Sequence, residues 1–423
     1  MGFSLGNQLM PDLPAMKSLP SSAAKVILGG TPLLGTLTGI GNYTRQLASA
    51  LVRCQLVSDL KLFGDIGFLN ISLLDRLNEG SGRREPYFSK PPQLRSMHAV
   101  QRAIRQAAVR SYGITALYSV VSDWMAARQL SPYAYSYLYH SPNFILPKYE
   151  GPKLVTVHDL SIIKYPEFHR RQMVELCERG IRRAVDEGSH MVTVSALVKR
   201  ELQAEFGLPD DRVYTVHHAP DQRCRPRDEA ECVDELDRLG LKYKSFFLSV
   251  GTVEPRKNLL RLFEAHRIGR AEGRFDWPLV VVGARGWKSE KEHEVLRGMC
   301  NDGLASYLDY VGDGLLHKLY ASAGGLVFPS LYEGFGLPVI EAMACGCPVL
   351  TSQGTAMEEF ADHQAIFCDP LDVEALSFGM QALSSGHGVD GGRVRGDGTE
   401  RLPPSVVGAS VRAVRVTNAS NAD

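Results

Sequence analysis

Two glutamates, Glu333 and Glu341, stand with seven residues between them in a stretch that is rich in glycine and proline. Ionised carboxylates accept hydrogen bonds, so this pair can hold the hydroxyl groups of a ribose or a hexose. Two adjacent cations, Arg256 and Lys257, lie beside a predicted helix N-terminus, and cations placed there suit a diphosphate. For both pairs the alternative is a set of solvated surface charges.

The sequence around the glutamates predicts a strand, a loop and a helix. Residues 326–328 form a short apolar run that is typical of a buried parallel strand. Pro338 suits the first turn of a helix that Gly336 or Leu337 would cap. Glu333 is then expected at the carboxyl end of a strand, on the side where α/β sheets bind ligands. An ordinary strand–helix–strand crossover with two solvated glutamates has the same bare spacing.

Three segments resemble one known family. EGFGLPVIEAMACGCPV (residues 333–349) resembles the signature of the retaining glycosyltransferases of the GT-B fold, family 4 or group 1. VGTVEPRKN (residues 250–258) resembles the donor-phosphate motif of this family, and TGIGNYT (residues 38–44) resembles the segment that opens its acceptor domain. The likeness implies an α/β protein with two doubly wound, Rossmann-like domains that face a cleft, and strands alternating with helices along the chain predict the same class.

The resemblance also implies an activity. A family member moves a sugar from a nucleotide-diphosphate sugar to an acceptor and retains the configuration at the anomeric carbon. In this chain Glu333 would hold hydroxyls of the transferred sugar, and Glu341 would hold the ribose. The resemblance further implies donor-binding roles for Gly251, Thr252, Gly334, Phe335, Gly336, Leu337 and, near the base, Val311.

The leaving diphosphate needs positive charge, which the resemblance assigns to Lys257, Arg256 and the N–H groups after Phe335. Many family members carry an arginine where this chain has Thr252, so Arg256 has to cover the role of that arginine. The chain has no Asp-x-Asp triplet. We therefore expect no metal site and no cofactor, with positive side chains in place of the metal that other sugar transferases use.

His158 is the candidate catalytic residue of the acceptor domain, because it follows a predicted strand and neutral imidazole can bind a sugar hydroxyl. A purely structural histidine is the alternative. Gly39 and Gly41 are expected in a loop before a helix that starts at Asn42, where the backbone can approach a phosphate or sugar. With Asp65 after the next strand, these glycines leave a dinucleotide-binding fingerprint as a second interpretation.

The length of 423 residues suggests two or three domains. From Gly386 onward there is no aromatic residue, whereas family members close with an aromatic-containing helix. We predict a poorly ordered extension (1–24), an N-terminal acceptor-binding domain (25–222), a linker (223–244), a C-terminal nucleotide-sugar-binding domain (245–385) and an atypical disordered tail (386–423).

Composition narrows the partners and the compartment. The formal net charge is zero, so we expect no nucleic acid as partner. No long apolar run and no signal peptide are evident, and the eight cysteines are scattered, so we expect a cytoplasmic protein with reduced thiols, of which Cys345 and Cys347 are buried. Residues 86–122 contain basic but no acidic side chains. This stretch is either a solvated helix face or a surface for peripheral contact with anionic membrane or an acceptor diphosphate.

Two segments favour a particular sugar. HSPNFILP (residues 140–147) and the donor-phosphate segment look most like those of bacterial mannosyl- or rhamnosyltransferases that build surface polysaccharide on a lipid carrier. The expected partners are therefore a GDP-linked sugar donor and a glycan or lipid-linked acceptor, with UDP-linked hexoses still open. A non-catalytic nucleotide-sugar-binding protein and a GT-B-like epimerase or phosphorylase are the alternative functions.

Overall fold

The computed structural model describes residues 24–34, 39–65, 67–78, 121, 123–361 and 364–386. These residues form two α/β units, each built on its own sheet. The predictions for the N-terminal extension, for the basic stretch up to residue 120 and for the tail after Gly386 lie outside the described residues. Ala24, which we assigned to the extension, begins the first strand.

The strands of the first sheet are β1 (Ala24–Gly29), β2 (Val57–Phe63), β3 (Phe68–Leu69), β4 (Leu138–Ser141), β5 (Lys153–Val157), β6 (His190–Thr193) and β7 (Val213–Thr215). Their order across the sheet is β3-β2-β1-β4-β5-β6-β7, and only β3 runs antiparallel to its neighbour. The central strands are short apolar runs buried on both faces, as a sheet covered by helices on both sides requires.

The helices of the first unit are α1 (Gly39–Arg53), α2 (Ser72–Asn78), α3 (Ser161–Lys164), α4 (Arg171–Asp186) and α5 (Ala196–Phe206), with helical residues 123–130 and the 3-10 turns Thr31–Leu33, Ser131–Tyr133, Pro166–Phe168 and Asp210–Arg212. Ser195 is the N-cap of α5, and its Oγ atom accepts a hydrogen bond from the Val198 amide at 3.2 Å. The predicted start of α1 is wrong. Gly39 and Gly41 lie in its first turn rather than in a loop before Asn42, because glycine also adopts helical angles.

The second sheet contains β8 (Phe247–Val250), β9 (Leu279–Val282), β10 (Ala305–Leu308), β11 (Gly325–Phe328), β12 (Val349–Ser352) and β13 (Ala365–Cys368). All its strand pairs are parallel, in the order β10-β9-β8-β11-β12-β13. The chain proceeds outward from β8 in one direction and from β11 in the other. Connections after β8 and β11 therefore diverge, which opens a crevice at the carboxyl ends of these two strands.

The helices of the second unit are α6 (Val233–Leu239), α7 (Leu259–Ala271), α8 (Glu290–Asn301), α9 (Asp313–Ser322), α10 (Leu337–Ala344), α11 (Glu358–Ala361) and α12 (Val373–Ser384), with a 3-10 turn at Pro255–Lys257. The predicted strand, loop and helix around the two glutamates are confirmed as β11, a loop and α10, with Gly336 as the N-cap. Gly336 has φ +104°, which favours glycine at this position. Cys232 and Leu236, from the segment assigned as a linker, are buried in the core of this unit.

The two units share one apolar cluster besides their separate cores. Val194, which follows β6, is buried together with Phe335 and Ile340 of the second unit, and Leu337 and Phe360 pack against them. The class prediction of two doubly wound α/β units that face each other is thus confirmed. In the part of the chain that the structure describes, no helix combines the length and apolarity that a membrane crossing needs.

Candidate active site

The crevice between β8 and β11 brings two distant side chains together. Lys257 ends the 3-10 turn after β8, and Glu333 lies in the loop after β11. The Nζ atom of Lys257 donates a hydrogen bond to Oε1 of Glu333 at 2.5 Å. Because neighbouring parallel strands end at the same edge of a sheet, the two loops meet at this point.

Arg256 ties the same two loops together. Its Nη1 atom lies 2.9 Å from Oε1 of Glu333 and donates to the carbonyl oxygen of Tyr332 at 2.8 Å. Its Nη2 atom donates to Oε1 of Glu254 at 2.7 Å. In addition, the amide of Leu331 donates to the carbonyl oxygen of Arg256 at 2.9 Å. These contacts hold the guanidinium between the loops that follow β8 and β11.

The charges of this cluster compensate each other. Burial alone would raise the pKa of Glu333, but the charges of Arg256 and Lys257 outweigh burial and lower that pKa to about 2. Burial lowers the pKa of Lys257, and Glu333 opposes that shift. Glu333 is only 8% exposed. A carboxylate that is ionised at neutral pH therefore holds two cations in place within a largely dry crevice.

Glycines let the lysine side chain reach its position. Gly251 has φ +147°, and a Cβ atom there would lie 3.3 Å from Cε of Lys257. The ammonium group of Lys257 also lies 4.8 Å from the ring centroid of Phe328. Gly283 approaches Gly251 so closely that a Cβ atom would overlap the Gly251 carbonyl oxygen. The missing side chains therefore leave room for the lysine and for close contact between the two backbone segments.

The first unit contacts this loop directly. A Cβ atom on Gly334 would overlap the carbonyl oxygen of His158 and lie 2.8 Å from Cβ of Asp159. The hydroxyl of Tyr332 donates to Glu201 at 2.6 Å and accepts from the amide of Leu160 at 3.1 Å. The residues on either side of Glu333 therefore both pack against the first unit.

His158 follows β5 at the cleft, as predicted. Its Nε2 atom lies 2.8 Å from the carbonyl oxygen of Pro142, and because a carbonyl only accepts, we assign the proton to Nε2. Burial lowers the pKa of His158, against the opposing effects of Pro142 and Asp159. The ring stacks on His218 at 5.8 Å and meets the edge of Tyr43 at 4.8 Å. A neutral imidazole with Nδ1 as acceptor is the result.

Known proteins resemble this chain in sequence. The profile of the family described as glycosyl transferases group 1 matches residues 237–387. The chain is 33% identical over 359 residues to O-antigen chain mannosyltransferase B of Escherichia coli, which covers 84% of this chain and 88% of that protein. The chain belongs to the group 1 glycosyltransferases. It is also 25% identical over 259 residues to the O-antigen chain mannosyltransferase RfbU of Salmonella typhimurium, over 60% of this chain and 67% of the relative.

A solved structure supports the fold of this glycosyltransferase. WaaG, a glycosyltransferase involved in lipopolysaccharide biosynthesis, superposes with a TM-score of 0.60 at 15% identity, over 85% of this chain and 90% of that chain. At such low identity the likeness concerns the fold alone. It supports the GT-B arrangement of two Rossmann-like units.

Glu341 lies one helical turn into α10 of the glycosyltransferase. Its Oε2 atom accepts a hydrogen bond from the Tyr320 hydroxyl at 3.1 Å. Burial, helped by the negative charges of Asp221 and Asp313, raises the pKa of Glu341 to about 7. The pKa values of the two glutamates are thus shifted in opposite directions, since two cations outweigh burial at Glu333 and burial dominates at Glu341.

The other implied donor positions of the glycosyltransferase lie in three places. Thr252 and Gly336 lie in the backbone that borders the crevice, next to β8 and at the N-cap of α10. Phe335 and Leu337 instead pack in the apolar cluster shared by the two units. Val311 follows β10, which β9 separates from β8, so it lies to one side of the Lys257–Glu333 pair.

Sequence reasoning missed several residues that shape the site. Glu254 is buried and holds Arg256, and Thr156 lies under the histidines, 2.9 Å from Nε2 of His140. The hydroxyl of Tyr43 is 3.0 Å from Oγ1 of the same threonine. Asp65, by contrast, was named in the dinucleotide-binding interpretation, and it accepts a hydrogen bond from Thr31 at 2.6 Å. Glu254 lies in the segment EPRK and Tyr43 in the segment NYT. Their position within segments that resemble the family was the one signal in the sequence that could have identified them.

Among the described residues, no three histidine, cysteine or acidic side chains converge in a way that could hold a metal ion. Cys345 and Cys347 are buried, as the sequence predicted.

Proposed function

We propose that this glycosyltransferase moves a mannosyl residue from GDP-mannose to a growing lipid-linked surface polysaccharide, with retention at the anomeric carbon. The observation that carries the proposal is the similarity along most of the chain to an O-antigen chain mannosyltransferase. The crevice at the ends of β8 and β11 fits such a donor, because it offers cations for a diphosphate beside a carboxylate for sugar hydroxyls.

Lys257 and Arg256 stabilise the leaving diphosphate in this proposal. Cleavage of the sugar–phosphate bond leaves negative charge on the phosphate, and preorganised cations in a dry site lower the barrier to that step. Both ion pairs of Glu333 use Oε1, so Oε2 can accept a hydroxyl of the transferred sugar. His158 lies against the same loop and uses Nδ1 to orient the acceptor hydroxyl.

The reaction needs no metal in this proposal, because two side-chain cations already face the position of the diphosphate. Turnover in excess EDTA should equal turnover in buffer with added magnesium. A strict requirement for a divalent cation would refute this part of the proposal.

The direct test offers the purified protein GDP-mannose, GDP-rhamnose, UDP-glucose and dTDP-rhamnose with a synthetic lipid-diphosphate glycan acceptor. We expect mannose to be transferred and proton NMR of the product to show the α-anomer. Transfer from a UDP- or dTDP-sugar alone would refute the donor assignment, and a β-linked product would refute retention. Nucleoside diphosphate release without an acceptor product would instead indicate a hydrolytic or merely donor-binding role.

We further propose that the acceptor unit touches anionic membrane, where a lipid-linked acceptor lies. Trp124 is 63% exposed, and the guanidinium of Arg128 lies 5.8 Å from its ring centroid. An exposed tryptophan beside a cation suits the interface of an anionic bilayer. The second unit contains a matched pair, Phe378 with Arg274 at 4.0 Å, that can serve as a control.

The membrane proposal is tested by sedimentation with vesicles of phosphatidylglycerol or phosphatidylcholine. We expect binding to the anionic vesicles alone, weakened by Trp124→Ala and unaffected by Phe378→Ala. Equal binding to both vesicle types, or equal loss in both variants, would refute it.

A further inference from the structure

The two units are joined by a carboxylate that lies outside the donor crevice. Glu359, in α11 of the second unit, accepts a hydrogen bond at Oε2 from the amide of Ala196, at 2.8 Å. Its Oε1 atom accepts from the amide of Leu197, at 2.6 Å. These amides open α5 of the first unit, where helix N–H groups have no partner within the helix and attract negative charge. One unit therefore caps a helix of the other.

This cap is additional to the local one. Ser195 already satisfies the Val198 amide of α5, so the helix has an N-cap of its own. Burial raises the pKa of Glu359, but His217 and the two helix amides outweigh burial, and the net shift is downward. Glu359 is therefore a charged partner to the N-terminus of α5, and the contact exists only while the two units lie together.

The carboxylate is also linked to the donor loop. Oε2 of Glu359 lies 3.1 Å from Nε2 of His217. The next residue, Phe360, stacks on Phe335 at 4.6 Å between ring centroids. Phe335 meets His217 at 5.9 Å and lies two positions after Glu333. The contact of Glu359 with α5 thus lies beside the loop that carries the donor-binding carboxylate.

The same contacts extend to the acceptor side. His218 meets Phe335 edge-on at 5.1 Å and stacks on His158 at 5.8 Å. Phe335 therefore lies between Phe360 and the histidines of the first unit. If Glu359 separated from α5, the loop that carries Glu333 would lose this support. The contact between that loop and His158 would then be lost as well.

We propose that Glu359 is a positioning residue for sugar transfer, which holds the cleft in the closed arrangement that brings the Glu333 loop against His158. Glu359 touches neither substrate in this arrangement; it acts through α5 and Phe335. The inference rests on the proposed function for its kinetic consequence, but the closure itself can be measured without any substrate.

The structure provides a matched control for this residue. Glu358 is adjacent in α11, has the same charge and accepts a hydrogen bond from the Gly354 amide at 2.6 Å, within its own segment. Glu359→Gln and Glu358→Gln therefore remove the same charge from the same helix. Only the first change weakens a contact between the units.

The experiment combines small-angle X-ray scattering of the free protein with steady-state kinetics and GDP binding. For Glu359→Gln we expect a larger radius of gyration and a kcat reduced about 10- to 100-fold, since misplaced reacting groups are costly. The dissociation constant for GDP should stay within about twofold, because the crevice that binds it belongs to the second unit. Glu358→Gln should match the wild type in all three measurements.

A second variant removes a hydrogen-bond donor of α5 instead of the carboxylate that accepts from it. Ala196→Pro deletes one amide that Glu359 binds, at the first helical position, where proline is tolerated. It should open the cleft and lower kcat in the same direction as Glu359→Gln. An unchanged radius of gyration or an unchanged kcat in both variants, or an equal effect of Glu358→Gln, would overturn the proposal. Absence of transfer by the wild type would refute the proposed function, while the scattering result would still decide the closure.

Discussion

The Nζ atom of Lys257 lies 2.5 Å from Oε1 of Glu333, although the two residues are 76 positions apart in the chain. Arg256 shares the same carboxylate oxygen at 2.9 Å. Glu333 is therefore the counter-ion of both cations that we propose bind the diphosphate. A substitution of Glu333 therefore changes the pairing of both cations together with the carboxylate that we propose holds sugar hydroxyls.

Replacement of Glu333 by glutamine should lower the stability of the protein and increase the stabilisation that GDP provides. The variant leaves Lys257 and Arg256 buried without their shared anion, and loss of one partner of a buried pair typically costs about 3–5 kcal/mol. We expect a lower melting temperature and a kcat reduced at least about 100-fold, from loss of the acceptor for sugar hydroxyls. GDP should raise the melting temperature of the variant more than that of the wild type, because its diphosphate replaces the missing negative charge.

Thermal unfolding with and without GDP measures this difference. Glu358→Gln is the control, since it removes the same charge from a carboxylate that accepts a hydrogen bond from the Gly354 amide of its own segment. A smaller GDP shift in Glu333→Gln than in the wild type would contradict the counter-ion role. The fold should survive the change. Because Glu333 is buried, we expect a loss of stability although the residue lies on a loop.

Replacement of Gly334 by alanine should block closure of the cleft. The added Cβ would overlap the carbonyl oxygen of His158, so the loop or the first unit has to move. We expect kcat to fall about 100-fold, with GDP affinity close to that of the wild type. Gly298→Ala is the control, since a Cβ there meets nothing within 4 Å. Transfer at the wild-type rate in Gly334→Ala would show that this contact is not needed.

The stability of the protein should depend on the ionisation of Glu341. Its pKa is raised from 4.5 to about 7 in the folded protein, so the folded state binds the proton more tightly than the unfolded state does. This contribution is fully present below pH 4.5 and is lost as the pH rises through about 7. Glu333 acts in the opposite sense, since its pKa of about 2 gives stability that is present above 4.5 and lost in acid.

Urea unfolding between about pH 5 and 8 tests this assignment. The free energy of unfolding of the wild type, relative to Glu341→Gln, should decrease as the pH rises, because glutamine does not titrate. A difference that stays constant with pH would mean that Glu341 has an ordinary pKa. GDP affinity should increase over the same range if ionised Glu341 accepts the ribose hydroxyls.

His158 should be neutral at physiological pH with its proton on Nε2. Its pKa is lowered by burial, and the Pro142 carbonyl oxygen requires a donor at Nε2. Nitrogen-15 NMR of labelled histidine, assigned with His158→Gln, should show a single neutral tautomer between about pH 6.5 and 8. An imidazolium signal for His158 at the lower end of that range would contradict the assignment and point to a charged role.

Local patterns predicted much of the fold. The apolar run of β11 and the proline at the start of α10 both depend on residues that are close in sequence. The predicted start of α1 was wrong, because glycines are equally compatible with a loop and with a first helical turn. Part of the segment that we assigned as a linker is buried. Its helix is mostly polar, and the sequence does not show which core its few apolar residues join.

The sequence by itself determined the composition of the crevice: two glutamates, an Arg-Lys pair, and the glycines that let a backbone come close. Motif spacing places these residues at strand ends, and strand ends of a parallel sheet share one edge. The tertiary structure decided which of them meet. Glu333 pairs with Lys257, whereas Glu341 faces Tyr320, and Glu359 caps a helix that begins 163 positions earlier. Such contacts depend on the order of strands and on how two units pack, and no periodicity within a segment encodes them.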